Sequence, residues 1–165
     1  MLPLDEHVIR ASFVNASRKE IADLTLPTDF DDLAWANLDY LGWRDPKLPK
    51  LPKRAYIVVP IGDELIGVVL KRADADPRNR AQCQWCQDVT LPNDVVLYSA
   101  KRAGHAGRSG STLGTLICED FQCSKNVRML PPSAHLGFDR EAARDARILG
   151  LRDRSAGFAL EVALE

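Results

Sequence analysis

Cys83-Gln84-Trp85-Cys86 and Cys118-Glu119-Asp120-Phe121-Gln122-Cys123 decide how this chain folds. They hold all four cysteines of the 165 residues, as a C-x2-C pair, thirty-one intervening residues and a C-x4-C pair. Two tight pairs with no stray cysteine have the spacing of a zinc site. Four thiolates with no histidine and no open position make that zinc structural, because a catalytic zinc keeps one place for water or substrate. The expected ligands are Cys83, Cys86, Cys118 and Cys123, holding a single structural Zn2+. Disulfides would need an oxidising compartment, and no basic region followed by an apolar run opens the chain. A thioredoxin-like dithiol would leave the second pair idle. Four inert buried thiols would not explain the pairing. An iron–sulfur cluster also accepts four cysteines, so the spacing constrains the ligands more than the metal.

The residues between the pairs give the shape that the metal holds. Val95-Val96-Leu97-Tyr98-Ser99-Ala100 and Thr112-Leu113-Gly114-Thr115-Leu116-Ile117 are β-branched runs. They flank a segment from Lys101 to Gly110 with three glycines, which reads as a loop joining two strands. Ser124 to Arg128 reads as a short helix stopped by Pro131-Pro132. Knuckle, hairpin, then a ligand pair at a helix start is the order of a treble-clef zinc finger. Upstream, Ala55-Tyr56-Ile57-Val58-Val59 and Leu65-Ile66-Gly67-Val68-Val69-Leu70 form a second hairpin turning at Gly62-Asp63. As the most hydrophobic part of the chain it is expected at the centre of a sheet, since a lone hairpin is barely stable in water.

Further out, residues 1–45 read as helical. Asp5 caps a helix over Glu6 to Asn15, and Ser17 with Glu20 makes a capping box for a short helix ending near Leu26-Pro27. Trp35, Tyr40 and Trp43 read as packing beneath the zinc region rather than as a contact surface. Pro46 to Arg54 is a proline-punctuated, basic, extended connector. In the tail, Asp139 caps a helix to Leu149 that Gly150 stops, and Ser155 to Glu165 forms a final short helix. The expectation is therefore an α+β fold: a small antiparallel sheet with a four-cysteine, treble-clef-like finger, a helical N-terminal segment and a C-terminal helix. It forms a single domain over 1–165, with a helical segment at 1–45, a β-rich zinc core at 55–130 and a helical tail at 139–165.

Composition bounds the function. With 45% apolar and 27% charged residues the chain is an ordinary globular one. A net charge of −1 gives no overall polyanion signal, and no apolar run is long enough to span a membrane. The expected address is the cytoplasm. Charge is uneven: residues 1–45 carry a net −5 and residues 71–128 a net +3. Four thiolates with Zn2+ add about −2 to the latter. Arg72, Arg78, Arg80, Lys101, Arg102, Arg108, Lys125 and Arg128 are expected to gather around the zinc and to meet phosphate or carboxylate there. His7, His105 and His135 are scattered, and no nucleophile elbow, H-E-x-x-H or phosphate-loop motif occurs. The expectation is a binding module that is not an enzyme and has no small-molecule substrate.

The run Gly107 to Arg128 resembles the C-terminal zinc-binding domain of elongation-factor-G-binding proteins, the FBP-type family related to the fusidic acid resistance proteins. Cys83-Gln84-Trp85-Cys86, Phe13-Val14-Asn15 and Asp39-Tyr40-Leu41-Gly42-Trp43-Arg44-Asp45 fit the same pattern, and the likeness runs from about Leu4 to Arg128. It implies a treble-clef zinc domain that binds elongation factor G and modulates that factor's hold on the ribosome. On that reading Arg108, Phe121, Lys125 and Arg128 form the partner surface, with Phe121 as apolar anchor; the alternative for Phe121 is a plug over the thiolates. The competing class is nucleic-acid binding, with ribosomal RNA as ligand and Tyr98 and Trp85 as stacking platforms. A third option is a redox switch that ejects zinc when the thiols oxidise.

Overall fold

The two apolar runs on either side of Gly62-Asp63 pair as their pattern demands. In a computed structural model that describes residues 1–46, 53–75, 81–88 and 94–164, β2 (Arg54–Ile61) and β3 (Glu64–Arg72) run antiparallel in register from Arg54↔Lys71 to Ile61↔Glu64. Gly62 turns the chain at φ 60°, a conformation that costs glycine little. The connector over 47–52, Arg78 and Arg80 lie outside the described residues.

β4 (Val95–Lys101) and β5 (Thr112–Cys118) form the expected second hairpin. β1 (Leu41–Arg44) adds an edge, and the five strands lie in the order β1-β2-β3-β4-β5 with antiparallel neighbours. That edge strand corrects the helical reading of residues 1–45. Leu41 and Trp43 pair with Val58 and Tyr56 and are buried with them, while Gly42 lies opposite Ile57. The alternation, not helical periodicity, governs this stretch.

β3 and β4 meet only at Lys71↔Ser99 and Arg72↔Tyr98. Beyond that point the N-terminal segment wedges in. Gly67 exchanges backbone hydrogen bonds with Ser12 and Val14 at 2.8 and 3.0 Å. The Asn15 side chain then acts as a peptide group would: it accepts from the Val69 N–H at 2.8 Å and donates to the carbonyls of Val69 and Lys101 at 3.1 and 2.9 Å. This is why α1 (Glu6–Ala11), capped by Asp5 as expected, stops at Ala11 and not at Asn15. α2 (Arg18–Asp23) carries the Ser17–Glu20 capping box, and short 3-10 turns follow at Phe30–Asp32 and Trp35–Asn37.

The sheet is covered on both faces. On one, Tyr56, Val58, Leu41 and Trp43 pack with Ile9, Phe13 and Leu24 of the N-terminal segment. On the other, Ile57, Val59, Val68 and Leu70 pack in the same cluster as Leu151, Ala159 and Val162. Those last three belong to α5 (Arg140–Ala163), one helix of 24 residues capped by Asp139 and not two pieces divided at Gly150. A glycine inside a helix costs about 1 kcal/mol, less than the burial of the stripe Leu151, Ser155, Ala159 and Val162 returns. The glycine-rich segment also departs from its loop reading, since Gly104–Arg108 forms a short helix, α3. A Cβ at Gly107 would lie 1.8 Å from the Arg102 carbonyl oxygen, so only glycine lets α3 sit on the strand end.

Candidate metal centre

Cys118 ends β5 and Cys123 begins α4 (Cys123–Arg128), so hairpin and helix together aim the second pair. The first pair is held against β5 by Gln84. Its backbone N–H donates to the Leu116 carbonyl at 2.8 Å, and its side-chain oxygen accepts from the Leu116 N–H and the Thr115 hydroxyl at 2.9 and 3.0 Å. Each knuckle contains one residue with left-handed backbone, Gln87 at φ 55° and Phe121 at φ 59°. Such backbone costs about 1–2 kcal/mol; Phe121 turns the chain between the two thiols of its pair, and Gln87 turns it directly after Cys86.

The four Sγ atoms lie within 4.8 Å of one another, all buried. Cys83 and Cys123 are 3.6 Å apart, Cys86 and Cys118 3.7 Å. Four thiolates about 2.3 Å from a tetrahedral zinc would stand about 3.8 Å from each other. A disulfide would need about 2.05 Å, so the cysteines are free. Electrostatics makes the same demand. S–H groups of Cys118, Cys123 and Cys86 hold the Cys83 thiol far below its ordinary value. Contact with Cys118, then with Cys83 and Cys86, pushes Cys123 well above its own. One thiolate is stabilised by its neighbours and the next is penalised by it, which a dication at the centre resolves. These residues form a zinc-binding site. When bound, the ion cross-links hairpin and helix.

Three polar groups around the sulfurs were not legible as site residues. Asn126, buried on α4, donates its amide N–H groups to Cys86 and Cys118 at 3.6 and 3.5 Å. The Cys86 N–H donates to Cys83 at 3.4 Å. Asp39 fastens the helices behind the site. Its carboxylate, fully buried, accepts from Arg128 and from Arg152 Nε at 2.8 Å, and its N–H donates to Ser124 Oγ at 2.9 Å. Burial alone would raise the Asp39 carboxyl; the hydrogen bonds and charges of Arg128 and Arg152 outweigh it and hold the group below the usual carboxylate range. α5 adds two further grips. Arg147 pairs with Asp88 at 2.6 Å and donates to the Asn126 carbonyl at 3.3 Å, and Arg154 donates to the Trp85 carbonyl at 2.7 Å.

The residues expected at a partner surface are not brought together as the metal ligands are. Phe121 is only 7% exposed, stacked 5.2 Å from Tyr98 and so close to Gly42 that a Cβ there would approach its ring to 2.7 Å. Its ring is a buried packing group between Tyr98 and Gly42 and not an exposed anchor. Arg128 is spent on Asp39. Lys125 is exposed on α4, whereas Arg108 sits on α3, at the end of the β4–β5 hairpin remote from Cys118. Seven paired residues separate those ends, about 20 Å of strand. The bases divide between the two ends of the hairpin: Lys101, Arg102 and Arg108 lie at the far end, while Arg72 pairs at 3.0 Å with Glu119 of the second knuckle and Lys125 and Arg128 stand on α4. Trp85 and Tyr98 are buried, Trp85 edge-on to Tyr40 at 5.0 Å, so neither can stack on a nucleobase. Tyr40 is buried in one cluster with the cysteines, as expected, whereas Trp43 and the half-buried Trp35 pack with Ile9, Phe13 and Leu24 in the other cluster and not beneath the zinc region.

Residues 8–162 match the family model described as the FBP C-terminal treble-clef zinc-finger. The chain belongs to this family. Among solved structures, that of the fusidic acid resistance protein FusC is similar, with a TM-score of 0.46 and 21% identity over 67% of this chain. The match spans 50% of that chain. No curated protein sequence matches significantly. Membership in the FBP-type family gives the Cys83–Cys86 and Cys118–Cys123 knuckles and the hairpin between them their place as the finger proper. The match runs from α1 into the last turn of α5, so β1–β3 and α5 belong to the family domain together with the finger.

Proposed function

We propose that this protein is a non-catalytic zinc module that binds elongation factor G and modulates its interaction with the ribosome. The observation that carries this reading is the family match across residues 8–162. Metal, Asp39 and the arginines of α5 hold α4 rigid, so a partner would meet a surface that needs no ordering on binding. On that surface Lys125 is exposed, and Met129 and Leu130, just past the helix, are 47% and 46% exposed. Apolar side chains beside a cation at a rigid helix end suit a protein partner. The absence of a catalytic role is part of the same proposal: His105, 3.5 Å from the Ser109 hydroxyl, and His135, edge-on to Phe138, are both exposed, and no carboxylate forms an ion pair with either among the described residues. No helix among the described residues is long and apolar enough to cross a membrane. A protein that meets a translation factor would work in the cytoplasm.

Calorimetric titration of the zinc-loaded protein with purified elongation factor G tests this at two salt concentrations. A saturable one-to-one complex at both is the expected result. The Lys125→Glu, Met129→Ser double variant should weaken it at least tenfold, the charge acting mainly through association rate. No heat at either salt would overturn the reading. Full affinity in the double variant would move the surface away from α4.

A further inference from the structure

The strand register assembles a second group of cations, away from the metal. Arg54, Lys71 and Ser99 are successive cross-strand partners on β2, β3 and β4, and Lys101 pairs with Thr112 on β5. Residues two apart on a strand share a face, so Ser99 and Lys101 project from the same side. The N-terminal segment covers that side over β1 to β3 and leaves it open over β4 and β5, where Leu97 is 42% exposed. Between the Asn15–Glu20 stretch and α3 lies a half-open groove of about 670 Å³. Arg54, Lys71, Lys101, Arg102 and Arg108 line it against a single carboxylate, Glu20.

The charge is not balanced within the fold. Glu20 closes the Ser17 capping box and stands 3.8 Å from Arg54. Arg102 turns to Glu161 at 3.2 Å. Lys71 and Arg108 are exposed and form no ion pair among the described residues, and Lys101 has only the shared field of Glu20. Like charges crowded into one groove repel, so packing gives no reason to place them there. The groove is also preformed. Asn15 spans β3 and β4 with three hydrogen bonds and fixes the width between them. Hydroxyls of Ser99 and Thr112 stand among the cations, and no aromatic ring lines the walls. Such a surface holds anionic oxygens and offers nothing to stack a base.

We propose that this groove binds closely spaced phosphate groups, as carried by an RNA strand or a nucleoside triphosphate. The site is distinct from the α4 surface, and its test separates the two. The zinc-loaded full chain is titrated into a fluorescein-labelled single-stranded 12-mer RNA of mixed sequence, read by anisotropy, and inorganic triphosphate is titrated calorimetrically in parallel. With three phosphates neutralised, RNA affinity should fall roughly 20-fold between 50 and 200 mM salt, and about 7-fold in Lys71→Ala, which removes one contact. The Lys71→Glu, Arg108→Glu variant should lose binding at least tenfold, while Lys125→Glu keeps it. Both substituted groove residues are exposed, so thermal unfolding should stay at the wild-type midpoint. Triphosphate binding without RNA binding assigns the groove to a small phosphorylated ligand. Binding of neither probe overturns the proposal. So does RNA binding that Lys125→Glu abolishes and the groove variant retains.

Discussion

Asn126 and Asp39 show what single residues contribute around the metal. The Asn126 amide donates to two sulfurs and so stabilises their negative charge. Partners of this kind typically set metal affinity by 10–100-fold. Asn126→Leu should therefore weaken zinc binding about tenfold, at the low end because N–H···S bonds are weak; competition against a calibrated chelator measures it. Asp39→Ala leaves Arg128 and Arg152 without their carboxylate. Loss of about 2–3 kcal/mol in urea unfolding is expected, below the 3–5 kcal/mol of a fully buried pair, because the Arg152 side chain is 55% exposed. The pH dependence follows from the lowered carboxyl. Its stabilisation is full above the ordinary value of 3.8 and is lost as pH falls through the lower folded value. The stability gap between wild type and Asp39→Asn should hold at neutral pH and narrow below pH 3.8; a gap that widens on acidification would contradict the sign. The cysteines were legible because their chemistry lies in local spacing. Asp39 was not, because its partners stand 89 and 113 residues away. Phe121 was misplaced as an anchor because the sequence does not show that Gly42 opens the space it fills.

At the scale of elements, α5 tests whether packing or propensity sets helix boundaries. Its apolar stripe is thin, yet Arg147, Arg152 and Arg154 bind it to the zinc end and Leu151, Ala159 and Val162 to the sheet. Gly157 is exposed on this helix with open space around its Cα. Gly157→Ala should raise stability by about 1 kcal/mol, or roughly 2–4 °C in melting temperature for a chain of this size. A lower melting temperature would mean the helix is not continuous there. The two hairpins and the helix at Cys123 were legible because β-branched runs, turn residues and caps all agree locally. β1 was not, since its four residues gain their place from pairing with β2 and from Trp43 stacking 5.0 Å from Tyr56. α3 was hidden because three glycines read as a loop, while Gly107 is there for close approach to Arg102.

At the scale of the whole molecule, the cationic groove and the metal lie at opposite ends of the β4–β5 hairpin. Sequence proximity suggested a basic collar at the zinc; the β4–β5 hairpin instead carries Lys101, Arg102 and Arg108 about 20 Å from Cys118. Linear charge counts do not resolve which end of a strand a base occupies. The zinc end becomes a rigid surface of Lys125, Met129 and Leu130, and the opposite end an open cationic groove. Everything at the first end rests on four thiolates and one ion. X-ray absorption at the zinc edge of the purified protein tests that most directly. One zinc per chain, with four sulfur neighbours at about 2.3 Å, is the predicted result. A nitrogen or oxygen ligand in the first shell, or a metal-free protein with its cysteines joined in disulfides, would contradict it.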